Sequence, residues 1–362
     1  MFTDESRCVM AKKRKRKVKI HYFRIAAAAL LMVIIIVGIV MIFRSCSDDS
    51  DTQNISAGKI PDVSSAIAAS EFDTTVPTTE PLPTTVPYPQ VAAGSPTFPV
   101  EFDAKYGILM DADTNEVLAY RNYNTRMYPA SLTKVMTLIV AVENISDLSA
   151  TVPITADMID PMIDMEASRA GFCAGETPTL EQVLYGMILP SGADASLAAA
   201  AYVAGSEEAF VKLMNAKAEE MGLKNTHFTN VVGLHDKNHY STAEDMALIL
   251  QYAIRNETCR KVLETYQYQI PPTEYNPEGL LLTSTVFSRM VGNEMPGVVV
   301  KGGKTGFTDQ SGQCLCTFAE ANGKTYIMVL SGGTSRWKTI YDTLSGYSIF
   351  CVGGQAYDPP PV

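Results

Sequence analysis

The sequence predicts an α/β or α+β domain built on one sheet that is interrupted by an all-helical insertion. Three observations lead to it. Strand-like and helical runs open the body of the chain at 106–142, a block of helical periodicity fills 178–255, and strand-like runs return from 280 to 332 before a last helix. Ahead of these stands a charge-free apolar run, Ile25–Phe43, read as a single N-terminal membrane span.

Residues 1–24 carry nine Lys or Arg against Asp4 and Glu5, a net +7, which leaves −17 for the rest of a 362-residue chain whose total is −10. The positive-inside rule places this basic tail in the cytoplasm and everything after Arg44 outside. Nineteen helical residues at about 1.5 Å each roughly match a hydrocarbon core. The following "FRSCSDDS" offers no small-x-small cleavage site, so 25–43 reads as an uncleaved signal anchor rather than a secretory leader. The acidic exterior argues against nucleic acid as a partner.

Residues 44–100 are dominated by Ser, Thr, Asp and Pro, with "TTVP" at 74–77 and again at 84–87, the composition of an extracytoplasmic linker. As a flexible coil it spans roughly 40 Å. The folded body is set at 101–355 and a short tail at 356–362. "YGILMDADTNEVLAY" reads as a hairpin turning through Asp113-Thr114-Asn115. Ser131 to about Val142 reads as a helix. Ser206 before Glu207 and Glu208 marks a helix start and Gly222 its end. Ser241 with Glu244 makes a capping box for another. "LLLTST", "GVVV", "QCLCTFA" and "TYIMVLSG" are strand runs, and a last helix follows Trp337. The seven cysteines have no metal-like spacing and do not read as a disulfide framework. Cys314 and Cys316 share one strand face, as buried small hydrophobes do.

Ser131 and Lys134, in "YPASLTKVMT", stand at i and i+3 and share a helix face. Serine needs a base to become a nucleophile, and lysine serves only with a depressed pKa. Ser-x-x-Lys is expected by chance about once in such a chain, and it recurs at Ser335–Lys338. In "VVVKGGKTGFT" the tripeptide Lys304-Thr305-Gly306 is rarer, at ~0.1 per chain. No phosphate loop is formed there, because Val298 stands where a glycine is required. "LPSGADAS" places Ser191 at a turn before a helix. The histidines of the body, His227, His235 and His239, fall in one loop-like stretch, and neither G-x-S-x-G nor His-Glu-x-x-His occurs, so a histidine triad and a zinc site are both disfavoured.

In this order the three motifs resemble the penicilloyl-serine transferases, in particular the D-alanyl-D-alanine carboxypeptidases among the low-molecular-mass penicillin-binding proteins. "ILMDADTNEVLAYRNYNTRMYPASLTKVMT", "AGETPTLEQVLYGMILPSGADAS", "GLHDKNHYSTAEDMALI" and "KTGFTDQSGQCLCTFAE" carry the resemblance over 104–350. It implies a β-lactamase/transpeptidase-like fold, a mainly antiparallel sheet flanked by helices. It implies Ser131 as nucleophile and acyl-enzyme site, Lys134 as general base and Ser191 as proton relay. Lys304 would depress the pKa of Lys134 and attract the substrate carboxylate, which Thr305 would hydrogen-bond. Gly306 completes that motif, and Arg336 would help hold the carboxylate. The N–H groups of Ser131 and Phe307 would form the oxyanion hole, typically worth about 3 kcal/mol per donor. One departure stands out: the family has Ser-x-Asn at the second motif, and Ala193 occupies the Asn position here.

The resemblance thus implies a membrane-anchored bacterial enzyme, single-pass with its catalytic domain outside. It would remove the terminal D-alanine from peptidoglycan stem pentapeptides, without metal or cofactor, and β-lactams would acylate it. The alternatives are a DD-endopeptidase cutting cross-links, or a penicillin-binding wall sensor whose turnover is weak because of Ala193.

Overall fold

The computed structural model describes residues 87–292 and 295–358. The basic tail, the apolar run 25–43 and the linker as far as residue 86 lie outside the described residues. Among the described residues no helix is long and apolar enough to cross a membrane.

The sheet begins with β1 (Tyr106–Asp111) and β2 (Val117–Arg121), the hairpin expected from the turn at Asp113-Thr114-Asn115. It is completed by β5 (Val299–Thr308), β6 (Gly312–Ala321) and β7 (Lys324–Gly333). The order is β2-β1-β7-β6-β5, with every neighbouring pair antiparallel. Successive side chains leave a strand on opposite faces. Ile108, Met110, Ile327 and Val329 therefore enter one apolar cluster, while Leu109, Met328 and Leu330 enter another. Burial on both faces explains why these strands read as nearly continuous apolar runs.

Between β2 and β5 lies the helical insertion: α1 (Lys134–Asn144), α2 (Ala156–Asp164), α3 (Leu180–Ile188), α4 (Ala193–Ala204), α5 (Glu207–Glu220), α6 (Ala243–Arg255) and α7 (Glu257–Glu264). A separate hairpin, β3 (Gln267–Ile270) with β4 (Leu280–Thr283), and the short α8 (Phe287–Met290) lead back to the sheet. α6 packs on β1, β6 and β7, and α9 (Arg336–Val352) packs against β6 and β7. α1 is buried at every residue from Lys134 to Val142, wrapped by α3 to α7.

Several expectations are corrected. Residues 87–100, assigned to the linker, belong to the body. Phe98 is buried and stacks on Phe102, Tyr88 donates to Asp245 at 2.6 Å, and Gln90 and Thr97 bridge to the β2 hairpin. The tail expected from 356 is still packed at Tyr357, which stacks on Tyr341 and whose N–H meets Ser345 Oγ. The α6 cap is Thr242, accepting from Asp245 N at 3.1 Å, one residue later than the Ser241–Glu244 box. "LLLTST" pairs in the small β3–β4 sheet rather than in the main one. The second Ser-x-x-Lys proves to be an ordinary helix start, with Ser335 Oγ accepting from Lys338 N.

Candidate active site

The chain reaches Ser131 through a tight turn. Ala130–Thr133 is one turn of 3₁₀ helix that runs directly into α1, and Ala130 sits at φ +48°. The i, i+3 spacing brings Lys134 Nζ to 3.2 Å from Ser131 Oγ, and the same nitrogen donates to Val232 O at 2.8 Å. Lys134 is 2% exposed, and burial lowers its pKa to about 7. The lysine is thus poised near neutrality, as a proton acceptor must be.

The loop 226–240 forms the wall behind this pair. Thr137 Oγ1 donates to Val231 O at 2.7 Å, and Asn230 Oδ1 accepts from the N–H groups of Val232, Gly233 and Leu234. His239 underpins it. Thr229 N donates to Nδ1 at 3.1 Å, which leaves the proton on Nε2 to be donated to Thr133 Oγ1 at 2.8 Å. Burial, then the neighbouring His227, pushes this imidazole down to about 4, so it stays neutral. His239 is a brace. His235 lies on the cleft wall, its ring edge-on to Tyr128.

The other two motifs close around the pair. Ser191 occupies the α3–α4 turn at φ +67°, and Ala193 begins α4. β5 is the edge strand, so alternate backbone N–H groups face away from the sheet. It passes so close to the Ser131 turn that a Cβ on Gly306 would lie 3.1 Å from Ser131 N and 3.2 Å from Pro129 O. The result is a cleft of about 440 Å³ lined by Ser131, Lys134, Ser191, Ala193, Thr305, Gly306 and the half-exposed Phe307.

Lys304 is placed differently from expectation. It is fully buried behind the wall, with Nζ donating to its neighbour's carbonyl, Thr305 O, at 2.9 Å. Burial lowers its pKa strongly, and the charge of Lys134 adds to this. On Lys134 itself burial is the leading cause, and the opposing pull comes from Asp194. Two ammonium groups do not readily share so dry a space, and burial pushes both lysines down. Arg336 stands at the start of α9 and is not part of the cleft lining. Arg289, which no motif marked, does line the cleft, along with Thr285. Thr285 Oγ1 is 2.7 Å from Thr305 Oγ1, and Thr285 N donates to Leu189 O, tying the second motif to the third. Arg289 is half-buried, and burial with the nearby Arg336 lowers its pKa.

A serine hydroxyl against a buried lysine, in a cleft between an antiparallel sheet and a helical subdomain, defines a transpeptidase-like α+β protein of the Ser-Lys type. The profile of the D-alanyl-D-alanine carboxypeptidase peptidase family matches residues 90–335, and the chain belongs to that family. D-alanyl-D-alanine carboxypeptidase DacF of Bacillus subtilis is 35% identical over 242 residues, 67% of this chain and 60% of that protein. A Streptomyces D-alanyl-D-alanine carboxypeptidase (strain K15) is 32% identical over 238 residues, 63% of this chain and 80% of that protein. A solved mutant of the Streptomyces K15 DD-transpeptidase superposes with a TM-score of 0.63 at 30% identity, covering 67% of this chain and 95% of that one. The chain thus spans about three fifths of the length of its Bacillus relative.

Proposed function

We propose that this protein is a serine-type D-alanyl-D-alanine carboxypeptidase that removes the terminal D-alanine from peptidoglycan stem pentapeptides and is held to the bacterial membrane by residues 25–43. The observation that carries the reading is the 3.2 Å approach of Lys134 Nζ to Ser131 Oγ inside the family's cleft. Neutral Lys134 takes the hydroxyl proton as Ser131 attacks the carbonyl between the two D-alanines. The N–H groups of Ser131 and Phe307 receive the developing oxyanion. Ser191 passes the proton to the departing D-alanine, and water releases the acyl-enzyme. β-Lactams enter the same sequence at the acylation step.

The carboxylate of the leaving D-alanine is placed at the Thr305 end of the cleft, with Arg289 as its cation and buried Lys304 acting through Thr305. Arg289→Ala is expected to raise KM for a D-Ala-D-Ala peptide about tenfold, the loss of one charged hydrogen bond, while Arg336→Ala stays within about twofold. Steady-state kinetics check both. The function is tested by incubating the full chain with a pentapeptide muropeptide and with a cross-linked dimer. Free D-alanine and tetrapeptide are the expected products. Monomers released from the dimer would identify an endopeptidase, and penicillin labelling without D-alanine release would identify a sensor.

A further inference from the structure

At the Thr305 end of the cleft stand two hydroxyls where the motifs mark one. Thr285 Oγ1 lies 2.7 Å from Thr305 Oγ1, and both residues line the cleft. Thr305 is buried and Thr285 half-buried. Among the described residues neither hydroxyl has another hydrogen-bond partner. The backbone around Thr285 is fixed. Its N–H donates to Leu189 O at 3.0 Å, and Ser284 N donates to Tyr266 O at 2.8 Å. Ser284 and Val286, on either side of it, are both buried. Arg289 follows four residues later and lines the same cleft.

A hydroxyl carries one proton and two acceptor lone pairs. In a bonded pair of hydroxyls one proton is shared between the oxygens, and the other remains for a ligand. This holds whichever threonine donates to the other. The pair is thus ready for an acceptor, and an ionised carboxylate is acceptor-only, with about four lone-pair sites on its two oxygens.

We infer that Thr285 is a substrate-binding residue that joins Thr305 in gripping the terminal carboxylate, and that it sets selectivity for an acid over an ester or amide at that end. The inference rests on the proposed function and deepens it. Before substrate binds, the two hydroxyls satisfy each other through one neutral bond. When the carboxylate arrives, that bond is exchanged for two bonds to a charged acceptor, one from each hydroxyl. Hydrogen bonds to a charged partner are roughly twice as strong as neutral ones. An ester or amide offers the pair a carbonyl oxygen without the charge. Leu189, which holds Thr285, stands two residues before Ser191, so the carboxylate grip and the proton relay share one piece of backbone.

The test compares benzylpenicillin, which carries a carboxylate, with its methyl ester, which does not, as acylating agents of the full-length chain. The readout is the ratio of the two second-order acylation rates, followed by mass spectrometry. In the wild type the acid is expected to react about 10²-fold faster than the ester. In Thr285→Val, which keeps the shape and loses the hydroxyl, that ratio falls about tenfold, the loss of one hydrogen bond to a charged group. In Thr285→Ser, which keeps the hydroxyl, the ratio stays within about twofold of the wild type. Both rates reduced alike in Thr285→Val, with the ratio unchanged, overturns the inference and leaves a structural hydrogen bond. A ratio lost equally in Thr285→Ser, or a wild-type ratio near one, overturns it too. If Thr285→Val does not fold, Thr285→Ala is read in its place. Release of D-alanine from a pentapeptide is scored separately. Labelling without release overturns the proposed carboxypeptidase while the acid-to-ester ratio still decides this inference, and no labelling at all overturns both.

Discussion

The double variant Ser131→Ala/Lys134→Met is expected to be no slower in acylation than either single variant, and all three should fall by on the order of 10⁴-fold or more, since members of a nucleophile–base unit are not additive. The geometry requires it. Lys134 Nζ lies 3.2 Å from Ser131 Oγ and donates to Val232 O at 2.8 Å, and burial keeps its pKa near 7. Removing the hydroxyl leaves the base with nothing to deprotonate. Removing the amine leaves a hydroxyl with no base beside it, because the buried His239 is turned to Thr133 and Thr229. Stopped-flow acylation by a chromogenic cephalosporin checks the prediction, with circular dichroism confirming that each variant is folded. A double variant slower than both singles by their combined losses would mean that the two residues act in separate steps.

Gly233→Ala is the second large effect, and no motif points to it. The residue sits at φ +86°, and a Cβ there would lie 1.9 Å from Ala130 O and 2.9 Å from Ser131 N. Those atoms belong to the turn that presents Ser131. The turn has little room to give way, because β5 also packs closely against it at Gly306. An added methyl group must therefore push the loop off the turn or the turn off its register. Displacement of a reacting group by about 1 Å costs about 10²-fold in rate. The expected result is a loss of that size in acylation with secondary structure retained. Substrate binding suffers less, because the Thr305 end of the cleft is untouched. Acylation kinetics with a melting curve separate this outcome from general unfolding. Wild-type acylation rates in a folded Gly233→Ala protein would show that the loop is not in register with the nucleophile.

The sequence made some parts of this molecule legible and hid others for identifiable reasons. The β1–β2 hairpin was visible because two apolar runs joined by an Asp-Thr-Asn turn are local signals, and the α5 start was visible because Ser206 is a local cap. Ser131, Lys134, Ser191 and Thr305 were picked out by short motifs, and the structure brings all four into one cleft. Residues 87–100 were misassigned because proline and threonine content reads as a tether, while the packing of one phenylalanine, Phe98, is a tertiary fact. The α6 cap was misplaced by one residue because Ser241 with Glu244 and Thr242 with Asp245 both fit the pattern. The burial of Lys304 behind Thr305, and the arrival of Arg289 and Thr285 beside it, depend on how α8 meets β5, which no local pattern encodes.

Mass spectrometry of the full chain after exposure to penicillin tests the central claim most directly. A single covalent adduct on the peptide containing Ser131, absent from Ser131→Ala, is the predicted result. An adduct that survives in Ser131→Ala, or that maps to Ser191 or Ser335, would contradict it.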